Sequence, residues 1–185
     1  NIVSVYTADI TPTNDGEVQI SVLANTFQDR AGNKNKNDST LTYTHDGTNP
    51  IVNITSYDIS NDSITNKTNI TFFFDISEPI NGFTKDDIIC KNCSIDGDLT
   101  TYDVDNNVYT ASVIPIYNGT CSIYIAGGSF TDKSAGNPNN MSNVLTWTFD
   151  GTPPNITINP TSLQNIENKT TNDQSIDFTF ESTEI

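Results

Sequence analysis

Three kinds of residue in this chain could carry chemistry. Asparagine begins ten Asn-x-Ser/Thr triplets, which are the acceptor sequences for N-linked glycans. Cysteine occurs three times, at Cys90, Cys93 and Cys121, so one disulfide could form. Carboxylates and amides in the predicted connections offer the oxygen ligands that a hard cation such as Ca²⁺ prefers. Each use depends on the elements that position these side chains.

No set of residues resembles an active site. The only histidine is His45, and the chain lacks a Gly-x-Ser-x-Gly elbow, a phosphate loop and a His-Glu-x-x-His motif. Asp86 and Asp87 are adjacent, so on a strand they would point to opposite faces and could not share a substrate. We therefore predict that the protein is not an enzyme, and that His45 is a core residue at a strand end.

The charge excludes two classes of partner. The formal net charge is −15, with only 8 basic residues in 185, so nothing would neutralise the phosphates of nucleic acid or an anionic membrane. No apolar run is long enough to span a bilayer. The sequence has neither an initiator Met nor a signal peptide, and we expect it to be part of a longer chain.

One ordered pattern occurs twice. Residues 6–50 recur as residues 109–154, and each copy ends in Asp-Gly-Thr followed by proline. A spacing of about one hundred residues indicates a tandem array of whole domains. We predict that residues 1–45 are the C-terminal half of one repeat, that 46–150 are a complete repeat, and that 151–185 are the N-terminal part of the next.

Apolar and polar residues alternate with period two throughout, which predicts an all-β chain. Seven short strands in one repeat are the number expected of an immunoglobulin-like sandwich, so the predicted fold is a series of tandem immunoglobulin-like β-sandwiches. The alternation points Ile70, Phe72 and Phe74 inward. The predicted strands of the complete repeat lie near 51–57, 69–76, 86–91, 98–103, 107–115, 120–127 and 143–150.

The acceptor triplets agree with this register, because a glycan needs a side chain that leaves the core. Asn53 lies beside inward Val52, and the other acceptors fall on outward positions or in connections. Asn92, between Cys90 and Cys93, is left out of the prediction. The predicted glycosylation sites are Asn37, Asn53, Asn61, Asn66, Asn69, Asn118, Asn140, Asn155 and Asn168.

The cysteines favour a disulfide over a metal. A structural zinc site needs a fourth ligand that this chain does not supply. An immunoglobulin-like strand order places Cys93 close to Cys121, and we favour that bridge. A bridge between Cys90 and Cys121, or a local one between Cys90 and Cys93, remains an alternative.

We expect no cofactor, with calcium as the alternative at Glu78, Asp132 and Asn137. These residues, with Asp86 and Asp87, lie in or beside connections that the fold gathers near one end, and the junction residues Asp46 and Asp150 could add ligands. Asp and Asn also cap turns through their own backbone, and no EF-hand spacing is present.

Several ordered motifs carry a family resemblance. The run from Ser77 to Ile88, the Tyr109-Thr110-Ala111 triplet, the Ala135-Gly136-Asn137 triplet and the Asp-Gly-Thr-x-Pro junction resemble the bacterial-type Ig-like repeats of very long surface adhesins. The resemblance implies an extracellular tandem array that serves as a stalk, a spacer or an adhesive fibre. The cysteines and the dense acceptor triplets depart from typical bacterial members.

We therefore predict a structural protein of the extracellular space or cell surface, built from rigid glycosylated links whose junction prolines, such as Pro50, stiffen each joint. The alternative is an adhesin module that binds a carbohydrate or protein ligand through exposed tyrosines. The four candidates are scattered in the sequence, and we expect no clustered platform among them. They are Tyr57, Tyr102, Tyr117 and Tyr124.

Two kinds of partner are predicted. The acceptor triplets predict N-linked glycans, and the incomplete flanking pieces predict further copies of the protein or adjacent repeats, arranged head to tail. Residues 1–45 would hold the last three strands of a sandwich and 151–185 the first two, so each would expose an apolar face. Either the continuing chain completes them or neighbouring molecules do. Both routes give an end-to-end assembly.

Overall fold

The computed structural model describes residues 4–160 and 174–183, and the chain forms two compact units, 1–149 and 150–185. Apart from one short 3-10 turn at Lys85–Asp87, the regular elements of the described residues are strands. The strands are β1 Gly16–Val22, β2 Ser39–His45, β3 Val52–Ser56, β4 Ser63–Thr65, β5 Ile70–Ile76, β6 Ile80–Asn81, β7 Ile88–Lys91, β8 Cys93–Asp103, β9 Val108–Pro115, β10 Gly119–Ile125, β11 Thr131–Asp132, β12 Leu145–Phe149, β13 Ile156–Pro160 and β14 Phe178–Ser182.

Residues 46–149 form a sandwich of two four-stranded sheets, which confirms the predicted immunoglobulin-like fold. One sheet has the order β3-β5-β9-β8 and the other β4-β12-β10-β7. Strands correspond to all seven predicted segments, although β8 begins at Cys93 rather than near residue 98. The three-residue strand β4 pairs in parallel with β12 and was too short for the alternation to indicate.

The core between the two sheets contains the residues that the alternation points inward. Phe72 and Trp147 meet there with ring centroids 5.4 Å apart, and both side chains are buried. Because inward and outward positions alternate on each strand, the opposite faces remain available to solvent. The buried apolar residues are Val52, Ile54, Ile59, Ile70, Phe72, Phe74, Ile76, Ile88, Cys93, Ala111, Val113, Cys121, Ile123, Ile125, Phe130, Leu145 and Trp147.

The preceding copy of the pattern forms a hairpin of β1 and β2 rather than the three strands that the sequence predicts. Residues 4–12 correspond to β9 but form no strand. In the sandwich, β9 is hydrogen-bonded to β5 on one side and to β8 on the other, and residues 4–45 supply neither neighbour. The face that is buried in the second copy is therefore exposed here, with Leu41 at 61 % of its full accessibility.

The unit 150–185 contains the two predicted strands, β13 and β14, as an antiparallel hairpin. Its apolar side chains are also exposed, among them Ile156, Ile158, Phe178 and Phe180. No helix among the described residues is long and apolar enough to cross a membrane.

Candidate functional site

The loop after β11 folds around a buried carboxylate. Asp132 Oδ1 accepts hydrogen bonds from the backbone N–H groups of Ala135 at 2.7 Å and Gly136 at 2.8 Å, and Oδ2 accepts one from Asn137 at 2.9 Å. Burial alone would raise the pKa of Asp132, but these hydrogen bonds outweigh it and hold that pKa well below its usual range. Asp132 is therefore a fixed negative charge inside the protein.

The same loop holds the first residue of the domain junction. Asn137 Nδ2 donates to the backbone carbonyl of Asp46 at 3.0 Å, and the Ser134 hydroxyl donates to the Asp46 carboxylate. Both contacts join residues about 90 positions apart in the chain. They place a second carboxylate beside Asp132.

Glu78 supplies the third carboxylate, from the connection between β5 and β6. The pairing of Ile80 in β6 with Asp132 in β11 brings this connection to the same end of the sandwich. Glu78 Oε1 is inaccessible to solvent, and no described residue forms a hydrogen bond with it. Burial raises the pKa of Glu78, and the charges of Asp46, Asp132 and Asp15 raise it further.

Asp46, Glu78 and Asp132 each offer an oxygen, and these oxygens lie within 4.8 Å of one another. Three converging carboxylates repel one another unless a proton or a cation neutralises part of their charge. A hard divalent cation is ligated by such oxygens. The cluster is therefore a candidate cation site, and we call it the junction carboxylate cluster.

The structure brings together only some of the predicted ligands. Glu78 and Asp132 meet, with Asp46 as the third member, while Asn137 contacts Asp46 through its Nδ2, a donor that cannot ligate a cation. Asp86 and Asp87 lie apart, and Asp87 caps the 3-10 turn by accepting a hydrogen bond from the Thr84 N–H at 2.7 Å.

Sequence reasoning missed Asp15, which precedes β1. Its carboxylate accepts hydrogen bonds from the Gly47 N–H at 2.7 Å and from the Thr48 hydroxyl, and these bonds lower its pKa. His45 is half-buried at the end of β2, with Nε2 3.9 Å from Asp15 Oδ1. The second copy has Asn118 where the first has Asp15, so the repeat itself did not single out this position.

The three cysteines lie together at one edge of the sandwich, and all three are free thiols. The Cys93 thiol contacts the Ser122 carbonyl at 3.4 Å, and the Cys121 thiol contacts the Asn92 carbonyl at 3.3 Å. Each of these two thiols thus touches the residue next to the other. A hydrogen bond with Cys90 and burial raise the pKa of Cys93. The bridge between Cys93 and Cys121 stays a prediction.

Eight of the nine predicted glycosylation sites lie in the described residues, and all eight are exposed, whereas Asn168 lies outside them. Asn92 is half-buried, and its Nδ2 donates to the Tyr117 carbonyl at 2.8 Å. The amide nitrogen that a glycan would modify is therefore occupied at Asn92. The exposed acceptors are Asn37, Asn53, Asn61, Asn66, Asn69, Asn118, Asn140 and Asn155.

Two of the four candidate tyrosines share a neighbour that the sequence analysis did not consider. Tyr57 and Tyr102 each pack against Phe73, both with ring centroids 5.1 Å apart. The expectation that no aromatic cluster exists was therefore wrong for this pair. Within the described part of the chain, no ring contact joins Tyr117 or Tyr124 to these rings.

Comparison with known proteins identifies the domain. The sequence profile of bacterial Ig-like domains matches residues 46–149. Domains of this family are non-catalytic structural domains, typical of surface or extracellular proteins. No curated protein matches the chain.

One solved structure is similar, that of InvD from Yersinia pseudotuberculosis, at 16 % identity and a TM-score of 0.32. The match covers 82 % of this chain and 54 % of the InvD chain, so this chain spans about half the length of that protein. At this TM-score no conclusion about function rests on the likeness.

Proposed function

This chain belongs to the bacterial Ig-like domain family, and from that premise we propose that it is a structural extracellular repeat protein whose rigid links form a stalk or filament. The observation that carries the proposal is the set of hydrogen bonds at the junction between the first hairpin and the sandwich. A spacer must hold successive domains in a defined orientation, and a flexible linker would not do so.

The junction is bonded from both sides. Asp15 in the preceding copy accepts hydrogen bonds from Gly47 and Thr48, while Ser134 and Asn137 of the sandwich donate to Asp46. The backbone of residues 46–48 is thus held by side chains of both neighbours. Pro50 follows directly and is buried, which restricts the chain further.

An Asp15→Ala variant tests the rigidity of this joint. Residual dipolar couplings measured by NMR should fit one alignment tensor for residues 16–45 and 46–149 in the unmodified chain, and two tensors in the variant. Asp29→Ala is the matched control, because Asp29 accepts hydrogen bonds only within its own loop, from Ala31 and Asn33. Two tensors in the unmodified chain would contradict a rigid link.

We further propose that copies or adjacent repeats associate head to tail. In the sandwich, the sheet β3-β5-β9-β8 covers Ile123, Leu145 and Trp147. The counterparts of these residues on the β1–β2 hairpin are apolar, and a sheet of the same kind from another repeat would bury them. Strands β13 and β14 have the sequence pattern of β3 and β5 and could begin such a sheet.

Sedimentation of the 185-residue chain over a range of concentrations tests this association. We expect species larger than the monomer of 20.2 kDa, and a shift toward the monomer in Leu41→Thr. Tyr117→Thr is the control, because Tyr117 is also solvent-exposed but lies on the sandwich. A compact monomer at every concentration would exclude the head-to-tail model.

Glycosylation is the second part of the proposal, and the exposure of the eight described acceptors supports it. Peptide mapping of native material should find N-glycans at several of these sites and none at Asn92, which is half-buried and whose amide donates a hydrogen bond to the backbone. If Asn53, Asn69, Asn118 and Asn155 all lack a glycan, this part of the proposal fails. The structural role would survive that result.

A second candidate function is calcium binding by the junction carboxylate cluster, which the unpartnered Glu78 Oε1 favours. Calcium that binds only the folded chain should raise its melting temperature, with a gain of about 2.7 kcal/mol at one hundred times Kd. Glu78→Gln should abolish the gain, while the exposed control Glu17→Gln should retain it. An unchanged melting temperature in CaCl₂ would exclude the site.

A further inference from the structure

The outer face of the sheet β3-β5-β9-β8 carries an aromatic cluster. Phe73 points outward from β5, opposite Thr55 of β3 and Thr110 of β9. Tyr57 packs edge-on against its ring at an interplanar angle of 64°, and Tyr102 does so at 79°. The three rings form one continuous patch that we call the aromatic face.

The two tyrosines leave most of their surface to solvent. Tyr57 is 93 % exposed and Tyr102 is 66 % exposed. Tyrosine presents a large apolar ring surface at little conformational cost and keeps a hydroxyl for hydrogen bonding. Their rings are therefore accessible to a ligand, and each ring packs against Phe73.

A polar groove adjoins the aromatic face on the same sheet. Its volume is about 220 Å³, and its lining includes Asp96, Asp98, Thr100 and Ser112. Thr110 lies in the groove directly opposite Phe73, so the groove begins where the rings end. The Asp96 carboxylate has no hydrogen-bond partner among the described residues and can accept bonds from a ligand.

We propose that this face binds a neutral oligosaccharide, whose pyranose rings lie on Tyr57 and Tyr102 while their hydroxyls bond to the groove. The apolar C–H face of a pyranose matches an aromatic ring, and adjacent sugar hydroxyls donate to carboxylates such as Asp96. This ligand role goes beyond the structural function proposed above, and a spacer that binds no sugar would remain a spacer. It requires Asn69 to carry no glycan, because the Ser112 hydroxyl that lines the groove donates a hydrogen bond to Asn69 Oδ1.

Charge and size favour this occupant over others. The groove carries two carboxylates and the chain has a net charge of −15, which disfavours anionic sugars. The three-ring patch is also far smaller than the roughly 800 Å² per partner that a stable protein interface needs. Two ring contacts of 5.1 Å give a length that suits a short run of sugar units.

Calorimetric titration of the 185-residue chain, produced without glycans, tests the proposal with cellohexaose, chitohexaose and the anionic hexamer of galacturonate. We expect at least one neutral hexamer to bind and the anionic hexamer not to bind. The double variant Tyr57→Ser/Tyr102→Ser should weaken binding by about tenfold or more. The matched control is Tyr117→Ser, which removes an exposed tyrosine elsewhere and should leave the affinity unchanged.

Thermal melting separates binding from a purely structural role. Packed aromatic side chains also stabilise a sheet, so the double variant should melt somewhat below the unmodified chain. If the unmodified chain binds neither neutral hexamer, the proposal is overturned, even if the double variant melts at a lower temperature. Equal affinities of the double variant and the unmodified chain would overturn it as well.

Discussion

The hairpins β1–β2 and β10–β12 are two copies of one pattern in two environments. Their registers agree, because Ile20 pairs with Leu41 in the first and Ile123 pairs with Leu145 in the second. Ile123 is fully buried, whereas Leu41 is 61 % exposed. The local sequence therefore determines the hairpin and its pairing, and the second sheet determines the burial.

The difference also explains why the copies should differ in stability. Fully burying one large apolar side chain contributes about 1.5–3 kcal/mol, and an isolated two-stranded hairpin is marginally stable at best. The sandwich buries 17 apolar residues in one cluster, while the β1–β2 hairpin presents its apolar side chains to solvent. Most of the free energy that stabilises the folded chain therefore comes from the sandwich. The stability of the β1–β2 hairpin depends on whether another sheet covers its apolar face.

The largest expected effect is the difference in stability loss between Trp147→Ala and the substitution at its counterpart, Tyr43→Ala. Trp147 is buried against Phe72, so its truncation should reduce the free energy of unfolding by about 3–5 kcal/mol. Tyr43 is 38 % exposed, and its loss should cost much less. Urea denaturation measures both, and equal losses would show that the hairpin is covered in solution.

The predicted bridge between Cys93 and Cys121 would also distinguish the copies, because Cys121 occupies the position of Val18. If Cys93 and Cys121 are oxidised in native material, replacing both by serine should cost about 3 kcal/mol, for a loop of under thirty residues. The loss should appear in the sandwich and leave the β1–β2 hairpin unchanged. Release of Cys121 as a free thiol in a non-reduced digest would refute this pairing.

The two aspartate loops should respond differently to Asp→Asn. Asp132 is buried and Asp29 is exposed, although both accept backbone hydrogen bonds and both have lowered pKa values. A carboxyl group whose pKa is lowered in the folded state stabilises the fold at pH values above its ordinary pKa of 3.8. This stabilisation is lost as the pH falls through the folded-state pKa. Asp132→Asn should therefore lower the melting temperature at pH 7, and Asp29→Asn should lower it less.

Melting curves of both aspartate variants between pH 2 and pH 7 check this expectation. The deficit of Asp132→Asn should be constant near neutrality, begin to shrink as the pH falls below the ordinary pKa of 3.8, and continue to shrink toward the lower folded-state pKa. If the two variants lose the same amount of melting temperature at pH 7, burial of the Asp132 loop adds nothing to the stability that its hydrogen bonds provide.

The smallest expected effect concerns Glu78, which has no counterpart among the described residues of the first copy. Its folded-state pKa is raised above 4.5, so without a cation the stability should fall as the pH rises from 4.5 through the folded value. Glu78→Gln should remove that decline and stabilise the chain slightly at pH 7. The exposed Glu17→Gln is the control, and melting temperatures that follow the same pH curve in both variants would contradict the expectation.

Much of the fold could be predicted, because alternation reports directly which face of a strand is buried. Phe72, Phe74 and Trp147 lie in the core as expected. The short strand β4 carries too few residues for a periodic signal. Residues 4–12 keep the pattern of β9 but lack its partners, and alternation does not report whether a partner exists.

The candidate sites were harder to predict, because they depend on contacts between distant segments. Asp132 and Glu78 were among the predicted ligands, but Asp15 meets Gly47 and Thr48 only once the hairpin has formed. The aromatic face depends on an irregularity in β8 between Thr101 and Asp103, which sets the position of Tyr102. No sequence period reports such a bulge.

The parallel pairing of β4 with β12 has a mechanical consequence for a stalk under tension. Trp147, Thr148 and Phe149 run alongside Ser63, Ile64 and Thr65 in the same direction. A pull on the two ends of the sandwich draws β4 and β12 past each other along their length, so the hydrogen bonds between them bear the load together rather than one after another. The three-residue strand β4 is thus placed to resist extension of the domain, and the rupture force should depend on these three pairs.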